Sequence, residues 1–138
     1  MQGIRWIPLI AISVMLVGCA SAGKSATPPE PPQRVVAAYF AALNAHDKAQ
    51  ARPLVTPGFA NYSFNPRDGW FNSRLKITQL ETTRPRYTHS RYGSIAHVRT
   101  RLVVEFPLKQ APTQISGQYC LERKNVGDPW RIEAQGDC

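Results

Sequence analysis

The chain has 138 residues, 17 basic and 9 acidic, with a formal charge of +8 and a pI near 9.9. That length holds one ordinary domain, and the surplus of cations favours anionic neighbours such as lipid headgroups, wall polymers or acidic substrates. Three histidines and three cysteines without ligand spacing exclude a sequence-legible metal centre, and no nucleophilic triad is spaced for catalysis.

Met1 to Arg5 is a short positive segment, and Trp6 to Val17 is an apolar run. The run is too short to span a bilayer but has the length of a signal-peptide core. It ends in Leu16-Val17-Gly18-Cys19, which resembles the bacterial lipobox, where small residues precede a lipidated cysteine. The resemblance implies residues 1–18 as a leader and Cys19 as the acylated first residue of the mature chain. An ordinary secretory signal with a chance cysteine is the alternative. Several acyl chains anchor stably where one does not. The protein is then expected on a cell membrane or outer membrane, lipid-anchored and facing outside the cytoplasm. Losing the leader removes only Arg5, which leaves 16 basic against 9 acidic residues, or +7. Location, not charge, argues against nucleic acid as a partner. Gly18 to Ser25 fits a phosphate-loop pattern, but it crosses the cleavage point and runs into proline instead of joining a strand to a helix.

Residues 19–31 read as a tether, with Pro28-Pro29-Glu30-Pro31 extended as polyproline II. The domain is assigned to residues 32–138. In Pro32 to Leu43, Val36, Tyr39, Phe40 and Leu43 recur at helical spacing, with alanines between them and a proline suited to the first turn. Asn44 is expected to end this helix in the left-handed conformation, and Asp47 to cap a second one from Lys48 to Val55. Pro53 shortens or bends that second helix, and Thr56-Pro57-Gly58 is read as its stop. Phe59 to Trp70 has turn signals and four aromatics but no period. From Asn72 the period is two. Leu75 to Thr82 is a strand, Arg84 to Tyr92 a basic aromatic connection, and Ile95 to Phe106 the clearest strand. There Ala96, Val98, Thr100, Leu102 and Val104 alternate with His97, Arg99, Arg101, Val103 and Glu105. One covered face and one charged face indicate an antiparallel sheet. Gln114 to Lys124 and Trp130 to Gln135 form a closing hairpin that pairs Leu121 with Ile132.

Helix, Asn44-x-x-Asp47, short helix, an aromatic stretch, then a strand meander ending in Pro129-Trp130-Arg131-Ile132: this order resembles the nuclear transport factor 2-like superfamily. The resemblance implies an α+β fold, helices packed on a curved antiparallel sheet of about four strands. Small lipoproteins of uncharacterised families are the nearest likeness. The superfamily's isomerases and SnoaL-like cyclases keep an Asp or His acid–base group in the cone between sheet and helices. His46-Asp47 falls at a helix corner, while His97, Glu105 and Glu133 fall outward, so no catalytic residue is assigned. No cofactor is called for.

Three functional readings follow. The leading one is a non-catalytic domain that binds a ligand or an anionic envelope partner. A small isomerase or hydrolase using the cone, and an assembly partner in an envelope complex, are the others. A filled cone favours surface binding. Arg84, Arg86, Tyr87 and Arg91 lie in a stretch free of acids, and Arg99 and Arg101 follow on the charged face. These six are the candidate contacts for phosphate or carboxylate. Cys120 and Cys138 are a spare pair in an exported chain, either bridged or free thiols.

Overall fold

The structure is a computed structural model and describes residues 29–138; the leader, Cys19 and most of the tether lie outside them. Helix α1 spans Pro32–Asn44, with Val36, Tyr39, Phe40 and Leu43 all at most 2% exposed. Its end is a Schellman turn: the Asp47 N–H donates to the Ala42 carbonyl and the His46 N–H to that of Leu43. The left-handed residue is His46, at φ 53°, and not Asn44. Asn44 is otherwise engaged. Its amide donates to the Ile77 carbonyl and accepts from the Ile77 N–H, each at 2.8 Å, as a neighbouring strand would.

Asp47 caps α2, Lys48–Ala51, accepting from the Gln50 N–H at 3.0 Å. At Pro53 the helix tightens into a 3-10 turn, Arg52–Leu54. The stop expected at Thr56-Pro57-Gly58 is instead a start. Thr56 Oγ1 accepts from the Phe59 N–H, Pro57 takes the first helical turn, and α3 runs Pro57–Ser63. Val55 forms a short parallel bridge to Ile132, and the Thr56 N–H donates to the Ile132 carbonyl at 2.9 Å. A second 3-10 turn covers Trp70–Asn72.

The sheet has five strands: β1 Lys76–Thr82, β2 Arg86–Ser90, β3 Gly93–Glu105, β4 Thr113–Arg123 and β5 Arg131–Gln135. All neighbours are antiparallel, in the order β1-β3-β4-β5, and β2 also pairs with β3. Two strands thus share one side of β3. Strand β1 covers its second half, from Thr100 to Glu105, and β2 its first, from Gly93 to His97. Between them the Thr83 N–H donates to the Arg99 carbonyl at 3.0 Å. The basic connection of the sequence reading is therefore a strand, which makes five strands where about four were expected. The extra residues opposite β3 at Thr78 and opposite β4 at Glu133 are bulges, which bend and twist a sheet.

On the covered face lie Ala96, Val98, Leu102, Val104, Tyr119, Leu121 and Ile132, each at most 2% exposed. Leu121 and Ile132 are paired as expected. Burying each of the valine, leucine and isoleucine side chains stabilises the fold by about 1.5–3 kcal/mol. Among the described residues, no helix is long and apolar enough to cross a membrane.

Candidate functional site

The space between α1 and the sheet is filled by rings. Tyr39 packs edge-on to Phe40, Phe59 and Phe71 at centroid distances of 5.4, 5.8 and 5.9 Å, and Tyr119 meets Phe40 at 5.3 Å. Such edge-to-face contacts add specificity to the buried area. The Tyr39 hydroxyl shares a hydrogen bond with Ser63 Oγ. Burial pushes the Tyr39 phenol up to about 12, with the Ser63 bond opposing the shift. Burial also raises the Tyr119 phenol, and neighbouring Tyr39 adds to it. Among the described residues the buried polar side chains are Thr56, Ser63 and Thr100, so the interior holds hydroxyls and no carboxylate or imidazole.

Outside this packing, a depression of about 600 Å³ opens between α3 and the ends of β4 and β5. Phe59, Tyr62, Trp70, Gly117 and Gln135 line it, with Glu133 at its rim. Burial, then the neighbouring Glu122, raise the Glu133 carboxyl above the usual carboxylate range.

The six candidate anion contacts divide. Arg86 stands opposite His97 across β2 and β3, on the face that also carries Arg99 and Arg101. All three arginines are exposed, and Arg101 sits 3.7 Å from Glu81 in an exposed ion pair. Such a pair contributes little to stability. Arg84 is exposed in the crossover between β1 and β2. Arg91 occupies the β2–β3 turn, its guanidinium 4.7 Å from the Tyr92 ring centroid. Tyr87 belongs to the opposite face: its ring lies 5.8 Å from that of Trp130 and stacks on His89. The patch is thus Arg86, Arg99 and Arg101, with Arg84 and Arg91 at its ends and Tyr87 behind it.

Cys120 and Cys138 have their Cα atoms 6.4 Å apart and their sulfurs at bonding distance. Cys120 is fully buried although it belongs to the outward face, because the returning chain at Gly136 to Cys138 covers it; the Gly136 carbonyl lies 3.7 Å from its sulfur. The β3–β4 register sets His97 directly opposite Cys120, with Nδ1 3.7 Å from the sulfur and Nε2 2.7 Å from Thr88 Oγ1. Sequence spacing does not reveal this grouping, since 23 residues separate His97 from Cys120. Only the strand register brings them together, and the alternation pattern alone leaves that register open.

No family model matches the chain, and no curated protein matches it. Among solved structures it is similar to an NTF-2 like protein of unknown function from Shewanella oneidensis MR-1. That likeness has 16% identity and a TM-score of 0.40, and covers 76% of this chain and 95% of the other. The α+β class stands on the helices and antiparallel sheet themselves.

Proposed function

We propose that this is an exported lipoprotein, anchored by acyl chains on Cys19, whose domain docks through Arg86, Arg99 and Arg101 on an anionic lipid or wall polymer without catalysing a reaction. One observation carries the reading: the interior is filled by aromatic rings, while Arg86, Arg99 and Arg101 are exposed on the outward sheet face, Arg101 beside Glu81. A general base needs a titratable group poised in a cavity, and Glu133, the carboxylate at the open depression beside α3, is exposed. A docking surface needs only cations whose partners share their geometry, and guanidinium groups meet phosphate or carboxylate bidentately. The tether over residues 19–31, at about 3 Å per residue, lets this face reach roughly 40 Å from the lipid.

The anchor and the face are tested separately. Cys19→Ser is expected to move the protein from the membrane fraction to the soluble one. A chain beginning at Ala20 is then sedimented with phosphatidylglycerol vesicles and with isolated wall material. Binding at about 0.1 M salt and release at about 1 M are expected, because the Debye length shrinks from about 10 Å to about 3 Å. Arg86→Ala with Arg99→Ala is expected to weaken it several-fold. Equal binding by this variant and the parent removes the face from the proposal, and preference for vesicles or wall distinguishes the two anionic partners.

A further inference from the structure

The outward sheet face holds a second group of chemistry-bearing side chains. The geometry points to a zinc site made by His97, Cys120 and Cys138 that opens when the Cys120–Cys138 pair is reduced. The three ligand atoms lie within 4.8 Å of one another. Zinc bonds of about 2.3 Å to sulfur and about 2.0–2.1 Å to nitrogen, at tetrahedral angles, place nitrogen and sulfur about 3.6 Å apart. His97 Nδ1 and Cys120 Sγ already stand at 3.7 Å. The same bond lengths place two sulfurs about 3.8 Å apart. The reduced pair reaches that separation by movement of the exposed Cys138, while buried Cys120 stays fixed in β4.

The imidazole is prepared for this role. Its Nε2 shares a hydrogen bond with Thr88 Oγ1 at 2.7 Å, and in the tautomer protonated at Nε2 the Nδ1 lone pair faces the sulfurs. Metal-binding histidines are oriented by such a bond on the other ring nitrogen. Two thiolates and an imidazole are a soft donor set that selects zinc over magnesium or calcium. The exposed side at Cys138 leaves the fourth position to water.

The chemistry balances in two steps. An external dithiol passes two electrons and two protons to the disulfide and becomes a disulfide itself, breaking the Cys120–Cys138 bond. Zinc then forms two Zn–S bonds and one Zn–N bond, and the two thiol protons leave to solvent. The bridged chain has no thiolate to offer, so bridge and metal exclude each other. This site does not depend on the docking reading.

The test uses the full chain, detergent-solubilised, reduced with a phosphine, desalted under inert gas and titrated with zinc alone against a chromophoric chelator. The reduced chain is expected to take one zinc per chain more than a Cys120→Ser, Cys138→Ser variant, and the bridged chain none. Cys19 is common to all, so any contribution from it cancels. Thr88→Val is expected to bind about 10-fold more weakly, as loss of an orienting bond does, and His97→Ala more weakly still. Cobalt in place of zinc is expected to show thiolate charge-transfer absorption that His97→Ala alters. Zinc uptake no greater than that of the double cysteine variant overturns the site. So does equal affinity in His97→Ala, including the case in which reduction unfolds the chain and the cysteines chelate alone.

Discussion

Two side chains show how single polar groups fix this fold. Asn44 takes the place of a strand at the start of β1, satisfying both backbone groups of Ile77. Asn44→Ala leaves them to solvent and is expected to lower stability by about 1 kcal/mol, read by urea unfolding, with the slope of the transition unchanged. Tyr39 sits at the centre of the ring cluster, its phenol raised by burial from 10.0 to about 12. A raised folded pKa means that the unfolded chain releases its proton first as pH rises. The contribution is therefore whole below pH 10 and lost progressively between about pH 10 and about pH 12, a loss of order 2 kcal/mol. Thermal unfolding across that range is expected to fall steeply, and Tyr39→Phe is expected to flatten the fall. Below pH 10 the same variant pays instead for the unpartnered Ser63 hydroxyl.

At the scale of elements, α3 and β2 are the instructive cases. Thr56-Pro57-Gly58 carries the signals of a stop, yet threonine followed by proline is also a cap and a first turn. Phe59, in the first turn of that helix, is buried against Tyr39. Thr56→Ala is expected to cost about 1 kcal/mol and Thr56→Ser much less, measured by denaturant unfolding. Strand β2 was illegible for a different reason. Its five residues are all exposed, so it has no apolar alternation to read. It forms because β3 is 13 residues long and β1 reaches only its second half, leaving backbone groups on the first half to be paired. By contrast α1 and β3 were legible because each buries a clean stripe, Val36 to Leu43 in the helix and Ala96 to Val104 in β3, while β4 and β5 were legible from the pairing of Leu121 with Ile132. The outward arginines of β3 followed from the same alternation. The meeting of His97 with Cys120 did not, because it depends on register between strands.

For the whole molecule, the link from Cys120 to Cys138 closes an 18-residue separation and ties β5 and the returning chain to β4. Loop-closure entropy assigns such a bridge about 3 kcal/mol. Reduction without metal is expected to lower the melting temperature, and intact-mass measurement of the fresh chain is expected to show the loss of two hydrogens. The strand at the other margin has an opposite character. Strand β2 hangs on β3 alone, and none of its five side chains is buried. Core packing therefore places no veto on what those positions carry. Over generations the charges of this hairpin can be exchanged, one after another, with each intermediate still folded. A lineage can change the charge this margin presents without ever passing through a broken protein.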